Sequence, residues 1–354
     1  MADTLQDLRA KIDALDDEML RLLNERAIQA HAVGLLKNGA VYRPEREAQV
    51  LHRLIEKNGG PLKKEHVLRV FREIMSACMA LEKPLSVAFL GPAGTFTEAA
   101  ALKHWGHAVN LVACNSIDEV FLEVESKRVD YGTVPVENST EGSINKTLDL
   151  LLHTRLKICG EVQLRVHHLL MSRHRELGHI TKVYSHMQSL AQCQAWLSRH
   201  LPHAERIALP SNAQAAKTVQ SEENAAAIAG EQAAEIYSLN VLARNIEDEP
   251  NNTTRFLVIG DQDVAPSGKD KTTLVMSAEN RPGAVHELLL PLAEYKVSMT
   301  KFESRPARAG LWEYVFFMDI EGHQNDANVS SALAALRPKT TFLKILGSYP
   351  AAIA

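Results

Sequence analysis

An apolar seam with helical spacing lies near the start of the chain and limits its possible folds more than any other feature. The seam residues recur every three or four positions, as along one face of an α-helix: Leu5, Leu8, Ile12, Leu15, Met19 and Leu22. Thr4 and Asp7 form a capping-box-like start and Gly39 is a C-terminal signal. The predicted helix therefore has about 34 residues and a length of roughly 50 Å. Such a helix cannot bury its seam alone and needs partner helices.

Three segments with different patterns follow one another. Pro44 starts a second predicted helix, and a third runs from about Lys63 to Glu82, so residues 1–84 are predicted to form an all-α helical domain. Residues 85–262 alternate short apolar runs with amphipathic stretches, which predicts an α/β domain with a largely parallel sheet and two lobes around a cleft. Residues 271–350 have the strand–helix–strand–strand–helix–strand order of an α+β ferredoxin-like domain. The predicted fold is therefore multidomain.

Composition limits the classes of function. The 354 residues carry a net charge of -4 with a pI near 6.4, whereas nucleic-acid binding needs a basic surface, so no nucleic acid partner is expected. No apolar run approaches the roughly 20 residues that cross a bilayer, and the N-terminus lacks the apolar region of a signal peptide. A cytoplasmic protein without membrane contact is predicted. The scattered cysteines and histidines show no metal-binding spacing, so no metal is predicted.

Charged residues interrupt the apolar faces of the predicted helices. Arg26 stands where the seam predicts an apolar residue, and Lys37 lies about 20° around the same face. Glu82 lies on the apolar stripe of the third helix, and Arg46 and Glu47 open the second. A single buried cation favours snorkelling or an ion pair. A polar cluster within a helical bundle favours a pocket for a small anion.

Residues 5–9 and 25–26, together with Lys37 and residues 46–47, resemble the all-helical chorismate mutase family. The resemblance implies rearrangement of chorismate to prephenate, a pericyclic step in which the site holds the reactive conformer and stabilises charge on the ether oxygen. It also implies roles for five residues: Arg9 and Arg26 hold the two carboxylates, Lys37 contacts the ether oxygen, Glu47 binds the ring hydroxyl and Arg46 supports the site.

Two positions depart from the mutase pattern. Glu82 stands where many members have Gln, and only a protonated carboxyl group can donate a hydrogen bond to the ether oxygen. Glu82 is nevertheless predicted to be catalytic. Arg43 stands where some members have an acidic residue, and its role stays open.

The spacing of two arginines bears on the oligomeric state. Arg9 and Arg26 are 17 positions apart, which is about 25 Å along a straight helix. Two side chains of one helix cannot close that gap onto one small substrate, so Arg9, if it serves the site as the resemblance implies, must come from a second chain. A homodimer or higher homo-oligomer with shared sites is predicted, with dimer and tetramer both left open.

Four motifs mark the middle segment: residues 91–100 (GPAGTFTEAA), 134–143 (VPVENSTEGS), 185–193 (SHMQSLAQC) and 251–256 (NNTTRF). The first motif lies between a predicted strand and a predicted helix. Its backbone N–H groups either bind a carboxylate or form an ordinary strand–turn–helix connection. The other motifs are polar loops beside apolar strands.

Together the four motifs resemble prephenate dehydratase, a fold of two lobes similar to type II periplasmic binding proteins. The resemblance implies loss of water and carbon dioxide from prephenate, which gives phenylpyruvate. It places Thr254 at the leaving hydroxyl and Glu137 nearby as a proton reservoir. Asn138, Ser185 and Gln192 are implied to bind substrate, and Arg255 a carboxylate. His186 is either structural or functional.

The last segment carries two further motifs, residues 280–285 (NRPGAV) and 303–306 (ESRP). Both resemble those of an ACT regulatory domain that binds phenylalanine, and such domains usually pair across a dimer. The resemblance implies an allosteric site for inhibitory phenylalanine, and its residues are Gly283, Ala284, Val285, Glu303, Ser304, Arg305 and Pro306. Locally, the same motifs also fit helix initiation and a strand end.

The order of the three segments resembles that of bifunctional chorismate mutase–prephenate dehydratases of phenylalanine biosynthesis. The two reactions that this resemblance implies need no metal, nucleotide or flavin, so no cofactor is expected. Two alternatives remain. One is a dehydratase with a decayed mutase domain that acts on prephenate or its aminated relative arogenate. The other is a non-catalytic sensor of aromatic amino acids, which would bind a ligand without turnover.

Overall fold

The computed structural model describes residues 3–36, 40–279, 281–306 and 314–353. Three helices form the helical domain: α1 (Leu5–Leu36), α2 (Pro44–Lys57) and α3 (Lys64–Glu82). The capping box at the start of α1 is confirmed, because the Asp7 N–H donates to Thr4 Oγ1 at 3.2 Å and the Thr4 N–H donates to Asp7 Oδ2 at 3.0 Å. The apolar seam is exposed, and none of the residues Leu5–Leu36 is buried within the described chain.

The first lobe of the α/β domain is a six-stranded sheet in the order β2-β1-β3-β11-β5, with β4 beside β3. Its strands are β1 (Ser86–Leu90), β2 (Asn110–Cys114), β3 (Tyr131–Asn138), β4 (Gly142–Ser143), β5 (Lys157–Arg165) and β11 (Thr253–Gly260). Its helices are α4 (Phe96–Trp105), α5 (Ile117–Glu125) and α6 (Asn145–His153). Strand β11 returns from the second lobe and lies antiparallel between β3 and β5.

The second lobe is a five-stranded sheet in the order β10-β6-β9-β7-β8. Its strands are β6 (Leu169–Ser172), β7 (Lys182–Ser185), β8 (Glu205–Ala208), β9 (Ala225–Ala229) and β10 (Asn240–Ala243). Its helices are α7 (Met187–Gln192), α8 (Gln194–His200), α9 (Asn212–Val219) and α10 (Glu231–Ile236). The prediction of a largely parallel sheet was too simple, because the chain crosses between the lobes twice and β6 and β11 pair antiparallel with their neighbours.

The C-terminal domain is an antiparallel sheet in the order β13-β14-β12-β15 with two helices on one face. Its elements are β12 (Asp270–Ser277), α11 (Ala284–Glu294), β13 (Met299–Pro306), β14 (Tyr314–Glu321), α12 (Ala327–Leu336) and β15 (Phe342–Pro350). The predicted element order is confirmed. The other face of the sheet contributes Val275, Phe317 and Leu346 to the core of the first lobe, so the two domains share one apolar core.

Two side chains connect the helical domain to the other domains. Tyr42, between α1 and α2, is buried in the α/β domain, where its ring centroid lies 4.5 Å from that of Trp105. Ile353, beyond β15, packs against the buried Leu51 and Leu68 of the helical domain. The three domains are therefore joined by side chains that cross their boundaries.

Gly347 lies where the backbones of the C-terminal domain and the first lobe come into close contact. A Cβ added there would collide with the carbonyl oxygen of Ile158 and would lie 2.9 Å from the Ile158 nitrogen. Because backbone atoms cannot move aside as a flexible side chain can, we expect Gly347→Ala to lower the free energy of unfolding by about 2 kcal/mol or more. Urea unfolding followed by tryptophan fluorescence measures this loss.

Gly178→Ala is the matched control, because nothing lies within 4 Å of a Cβ added at Gly178. Its effect should stay within about 0.5 kcal/mol. Equal stability of the two variants would contradict the close packing at Gly347.

Candidate active and allosteric sites

Thr254 lies where strand β11 enters the first lobe, opposite Asn138 at the end of β3. The Asn138 Nδ2 group donates to Thr254 Oγ1 at 2.9 Å, and both side chains are buried. The pairing of β11 with β3 shifts register between Arg255 and Phe256. Thr254 and Asn138 lie directly opposite each other before this shift, so their side chains are on the same face of the sheet.

A network of polar side chains continues from this pair into the second lobe. Asn138 Nδ2 also donates to Asn252 Oδ1 at 2.9 Å, and Asn252 Nδ2 donates to Gln192 Oε1 at 3.1 Å. His168 Nε2 lies 2.9 Å from the same Gln192 oxygen. Burial lowers the pKa of His168, so its ring is neutral and can donate that hydrogen bond. The predicted residues Thr254, Asn138 and Gln192 are therefore brought together across the lobes.

Asn252 and His168 were missed by the sequence analysis. Asn252 lies within the NNTTRF motif but carried no assigned role, and its position two residues before Thr254 was the available signal. His168 directly precedes the buried strand β6. Its Nδ1 atom is buried without a hydrogen-bond partner in the described chain, a feature that no sequence pattern reveals.

A cavity of about 620 Å³ lies between the lobes. Its lining includes Thr95, Phe96 and Thr97 from the first lobe and His186 and Asn212 from the second. Of the two interpretations of the first motif, the structure favours an ordinary strand–turn–helix connection over a carboxylate-binding loop. The Gly94 N–H already donates to the Glu98 carboxylate at 2.6 Å. That contact is typical of an ordinary capped helix start.

Ser185 and His186 have structural partners beside this cavity. The Ser185 hydroxyl is buried, with the Ile228 carbonyl oxygen at 2.7 Å and Asn212 Oδ1 at 2.9 Å. His186 caps α7 by accepting from the Gln188 N–H at 3.4 Å. Ser185 thus positions Asn212 at the cavity wall, and His186 both caps a helix and lines the cavity.

Glu137 and Arg255 point away from the cleft, on the opposite face of the same two strands. Arg255 pairs with Glu161 at 2.7 Å and with Asp319 of the C-terminal domain at 2.5 Å. Glu137 lies 3.2 Å from the Lys301 ammonium group of β13. Successive strand residues face opposite ways, so the structure places Glu137 and Arg255 on the face opposite Thr254 and Asn138. Their predicted substrate contacts stay predictions.

The predicted mutase residues are divided between two places in the described chain. Arg26 Nη1 donates to Cys78 Sγ at 3.0 Å, and Gly34 lies against the Glu82 side chain, so Arg26 and Glu82 share the contact between α1 and α3. Arg9 and Arg46 are exposed. Lys37 lies outside the described residues.

Glu47 lies elsewhere, in a small cavity of about 40 Å³ where the helical, α/β and C-terminal domains meet. Burial raises the pKa of Glu47 to about 7, and Arg72 partly opposes that rise. Nearby, Tyr42 Oη lies 2.7 Å from His104 Nε2, and burial lowers the pKa of His104 to about 3. Glu47 therefore faces a neutral histidine and one arginine at a domain junction, away from the Arg26–Glu82 contact.

The predicted allosteric residues also fall in two places. Gly283, Ala284 and Val285 line a cavity of about 190 Å³ together with Tyr314 and Phe316 of β14. Gly283 has a φ of 83°, which favours glycine at this helix start. The second motif contacts the first lobe instead: Glu303 hydrogen-bonds Ser143, and Arg305 pairs with Asp149 at 2.8 Å. Ser304 and Pro306 are exposed.

Comparison with known families decides what these sites belong to. Models of chorismate mutase type II, prephenate dehydratase and the ACT domain match residues 8–83, 87–264 and 272–338. A bifunctional chorismate mutase/prephenate dehydratase from Neisseria gonorrhoeae is 56% identical over 361 residues, with 100% of both chains covered. The chain belongs to this bifunctional family. It is an enzyme with a chorismate mutase domain and a prephenate dehydratase domain.

Solved structures resemble the last two domains of this bifunctional chain. A prephenate dehydratase from Arthrobacter aurescens in complex with L-Phe is 35% identical, with a TM-score of 0.70, and covers 75% of this chain and 90% of its own. GqqA, described as a novel type of quorum quenching acylase, is 28% identical with a TM-score of 0.70 and covers 75% of this chain and 98% of its own. The fold therefore does not fix the reaction by itself.

The described parts of this bifunctional enzyme lack two features, a membrane-spanning helix and a metal-binding cluster. None of its described helices is long and apolar enough to cross a membrane. Residues 3–36, 40–279, 281–306 and 314–353 contain no cluster of three His, Cys, Asp or Glu side chains arranged to hold a metal ion.

The pKa of Glu47 has a consequence for stability. Between about pH 4.5 and pH 7 the folded chain keeps a proton on Glu47 that the unfolded chain has released, so stability falls as pH rises through this window. We expect Glu47→Gln to remove that fall, a change of about 1.4 kcal/mol per pH unit. Urea unfolding of wild type and variant at pH 4.5, 5.5 and 7.0 measures it.

Glu56→Gln, at an exposed position on the same helix, controls for loss of a carboxylate from α2. Parallel pH profiles for wild type and Glu47→Gln would show that Glu47 ionises in the folded chain as it does in the unfolded one.

Proposed function

We propose that Thr254 is the central residue of the dehydratase reaction and that it assists departure of the prephenate hydroxyl. The observation that carries this proposal is the hydrogen bond from Asn138 Nδ2 to Thr254 Oγ1 at 2.9 Å. It occupies a lone pair of the hydroxyl oxygen, so the Thr254 proton is directed elsewhere. A threonine held in this way is an oriented donor toward a leaving oxygen.

The bond changes of the dehydratase step define what the cleft must do. The carboxylate carbon leaves as carbon dioxide, and its bonding electrons form the aromatic ring as the C–O bond to the hydroxyl breaks. The departing oxygen needs a proton to leave as water. Asn138, Asn252, Gln192 and the neutral His168 supply directed polar groups beside Thr254. Ser185 acts through Asn212, and we leave Glu137 and Arg255 out of the substrate site.

For the first reaction, we propose that chorismate binds along the α1–α3 contact, with Arg26 at a carboxylate and Glu82 and Lys37 at the ether oxygen. Arg9 is supplied by a second chain, so the active form is a homodimer or a higher homo-oligomer. The exposed seam of α1 supports this, because leaving so much apolar surface in water is unfavourable. We also propose that Glu47 binds the ring hydroxyl of chorismate and that Arg46 supports the site. This role requires α2 to bring Glu47 to the chorismate bound along the α1–α3 contact.

We also propose that phenylalanine binds in the cavity at the start of α11 and inhibits the dehydratase. The cavity offers an apolar wall from Val285 and Phe316 and charged groups from Glu279 and Arg281, which suits an amino acid with an aromatic side chain. Glu303 and Arg305 then transmit the bound state, because they contact the first lobe. Ser304 and Pro306 complete the strand end.

The proposed domain limits are residues 1–84, 85–262 and 271–350. They are supported by helix α3 ending at Glu82, strand β11 ending at Gly260 and strand β12 beginning at Asp270. The cytoplasm is the compartment that we propose for a pathway of this kind.

Assays with separated activities test the proposed function. We expect the wild-type chain to form phenylpyruvate from both chorismate and prephenate, and millimolar phenylalanine to suppress both. Thr254→Ala should lower prephenate turnover by about a hundredfold or more. When this variant is given chorismate, prephenate should accumulate. Arg26→Ala should do the reverse, losing chorismate turnover while keeping prephenate turnover.

The alternatives give other outcomes in the same assays. Turnover of prephenate alone would indicate a decayed mutase, and a higher rate on arogenate would change the substrate. Phenylalanine binding with no turnover would indicate a sensor. Near wild-type dehydratase turnover of Thr254→Ala would remove Thr254 from its role.

Mixing two inactive mutase variants tests the shared site. In a heterodimer of Arg9→Ala and Arg26→Ala chains, one of the two sites keeps both arginines. If chains exchange freely, half of the dimers are mixed, so about one quarter of wild-type mutase turnover should return. No recovery after verified chain exchange would show that each chain forms its site alone.

A further inference from the structure

Arg255 is the residue after Thr254, and its guanidinium group is fully engaged on the face opposite the cleft. Nε contacts Glu161 at 2.7 Å, Nη1 contacts Asp319 at 2.5 Å, and Nη2 donates to the Tyr349 hydroxyl at 2.9 Å. The Arg255 side chain is 11% exposed, and those of Glu161 and Asp319 are 1% and 4% exposed. Each of the three guanidinium nitrogens has a partner on this face, which directs the group away from the cleft.

The cluster around Arg255 is balanced in charge and in hydrogen bonds. Lys271 lies 2.9 Å from Glu161, and Arg255 also lies 3.7 Å from Glu137, which Lys301 approaches to 3.2 Å, so three cations face three anions. Thr273 donates to Asp319 Oδ1 at 2.6 Å. Removing one partner of such a buried group leaves an uncompensated charge, which is strongly unfavourable. The cluster therefore fixes the position of its members.

We infer that Arg255 is a positioning residue for Thr254, held in place by Asp319 of the C-terminal domain. The inference rests on the proposed role of Thr254. Thr254 faces the cleft only because β11 keeps its register against β3, and that register changes directly after Arg255. A slip of one residue would turn Thr254 out of the cleft. The ion pairs of Arg255 hold the strand at this point.

The same contact ties the dehydratase site to the proposed phenylalanine cavity. Tyr314 and Phe316 of strand β14 line that cavity, and Asp319 lies three residues further along the same strand, about 10 Å away. A ligand that shifts β14 therefore shifts the carboxylate that holds Arg255. Strand β14 is the physical element that both sites share, which is the requirement for coupling between them.

Asp319→Asn in the full-length enzyme tests the inference, because Asp319 contacts Arg255 on the face opposite the cleft and Asn has nearly the same shape as Asp. We expect kcat for prephenate to fall about tenfold or more, KM to stay within about twofold, and inhibition by phenylalanine to weaken. Arg255→Lys should behave alike, because Lys keeps the charge but loses the planar fork. Mutase turnover of the same samples reports whether the chain is folded.

Lys344→Met is the matched control. Lys344 of β15 also crosses the interface, donating to the Thr154 carbonyl oxygen at 2.6 Å, but it does not contact β11. Its kcat should equal that of wild type. If Asp319→Asn fails to fold, Tyr349→Phe removes only one hydroxyl from the cluster and should lower kcat in the same direction by about threefold.

Three results would overturn the inference. One is wild-type kcat and wild-type inhibition in Asp319→Asn. Another is a rise in KM alone for Arg255→Lys, which would return Arg255 to the substrate. The third is an equal loss of kcat in Lys344→Met. Failure of the proposed function would give a different result from these three, namely full dehydratase turnover in Thr254→Ala.

Discussion

The pleat of strand β11 is the constraint on which the rest of this structure depends. It turns Thr254 into the cleft between the lobes and turns Arg255 toward the C-terminal sheet. The strand is central in its sheet, bonded to β3 on one side and β5 on the other, so it cannot rotate to favour one face. The proposed catalytic and regulatory surfaces are therefore two sides of one central strand, so a displacement of that strand affects both.

A second organising feature is the burial of charge at this boundary. Glu161 and Asp319 are nearly inaccessible, yet each is matched by a cation and by further donors. Apolar residues of similar size could hold the two domains together as well or better. The ionic cluster instead defines one relative placement of the domains, because guanidinium and carboxylate groups bond only in a narrow geometry.

Sequence reasoning predicted the three domains, the capped start of α1 and the element order of the C-terminal domain, because periodicity and turn residues are local signals. It also placed Thr254, Asn138 and Gln192 in one site through their motifs. It grouped Glu137 and Arg255 with Asn138 and Thr254 because they share motifs, whereas the alternation along a strand places neighbouring residues on opposite faces. It had no access to the junction around Glu47, because Tyr42 and Ile353 reach it from opposite ends of the chain, and no local pattern encodes such contacts.

The contact of Ile353 with Leu51 and Leu68 has a consequence for the order of folding. The helical domain is synthesised first, and domains generally fold as they emerge from the ribosome. Its core nevertheless includes a side chain almost three hundred residues downstream, and Tyr42 beside it needs the aromatic cluster of the α/β domain. Among the three domains, the helical domain is thus the first to be made and the last to be completed.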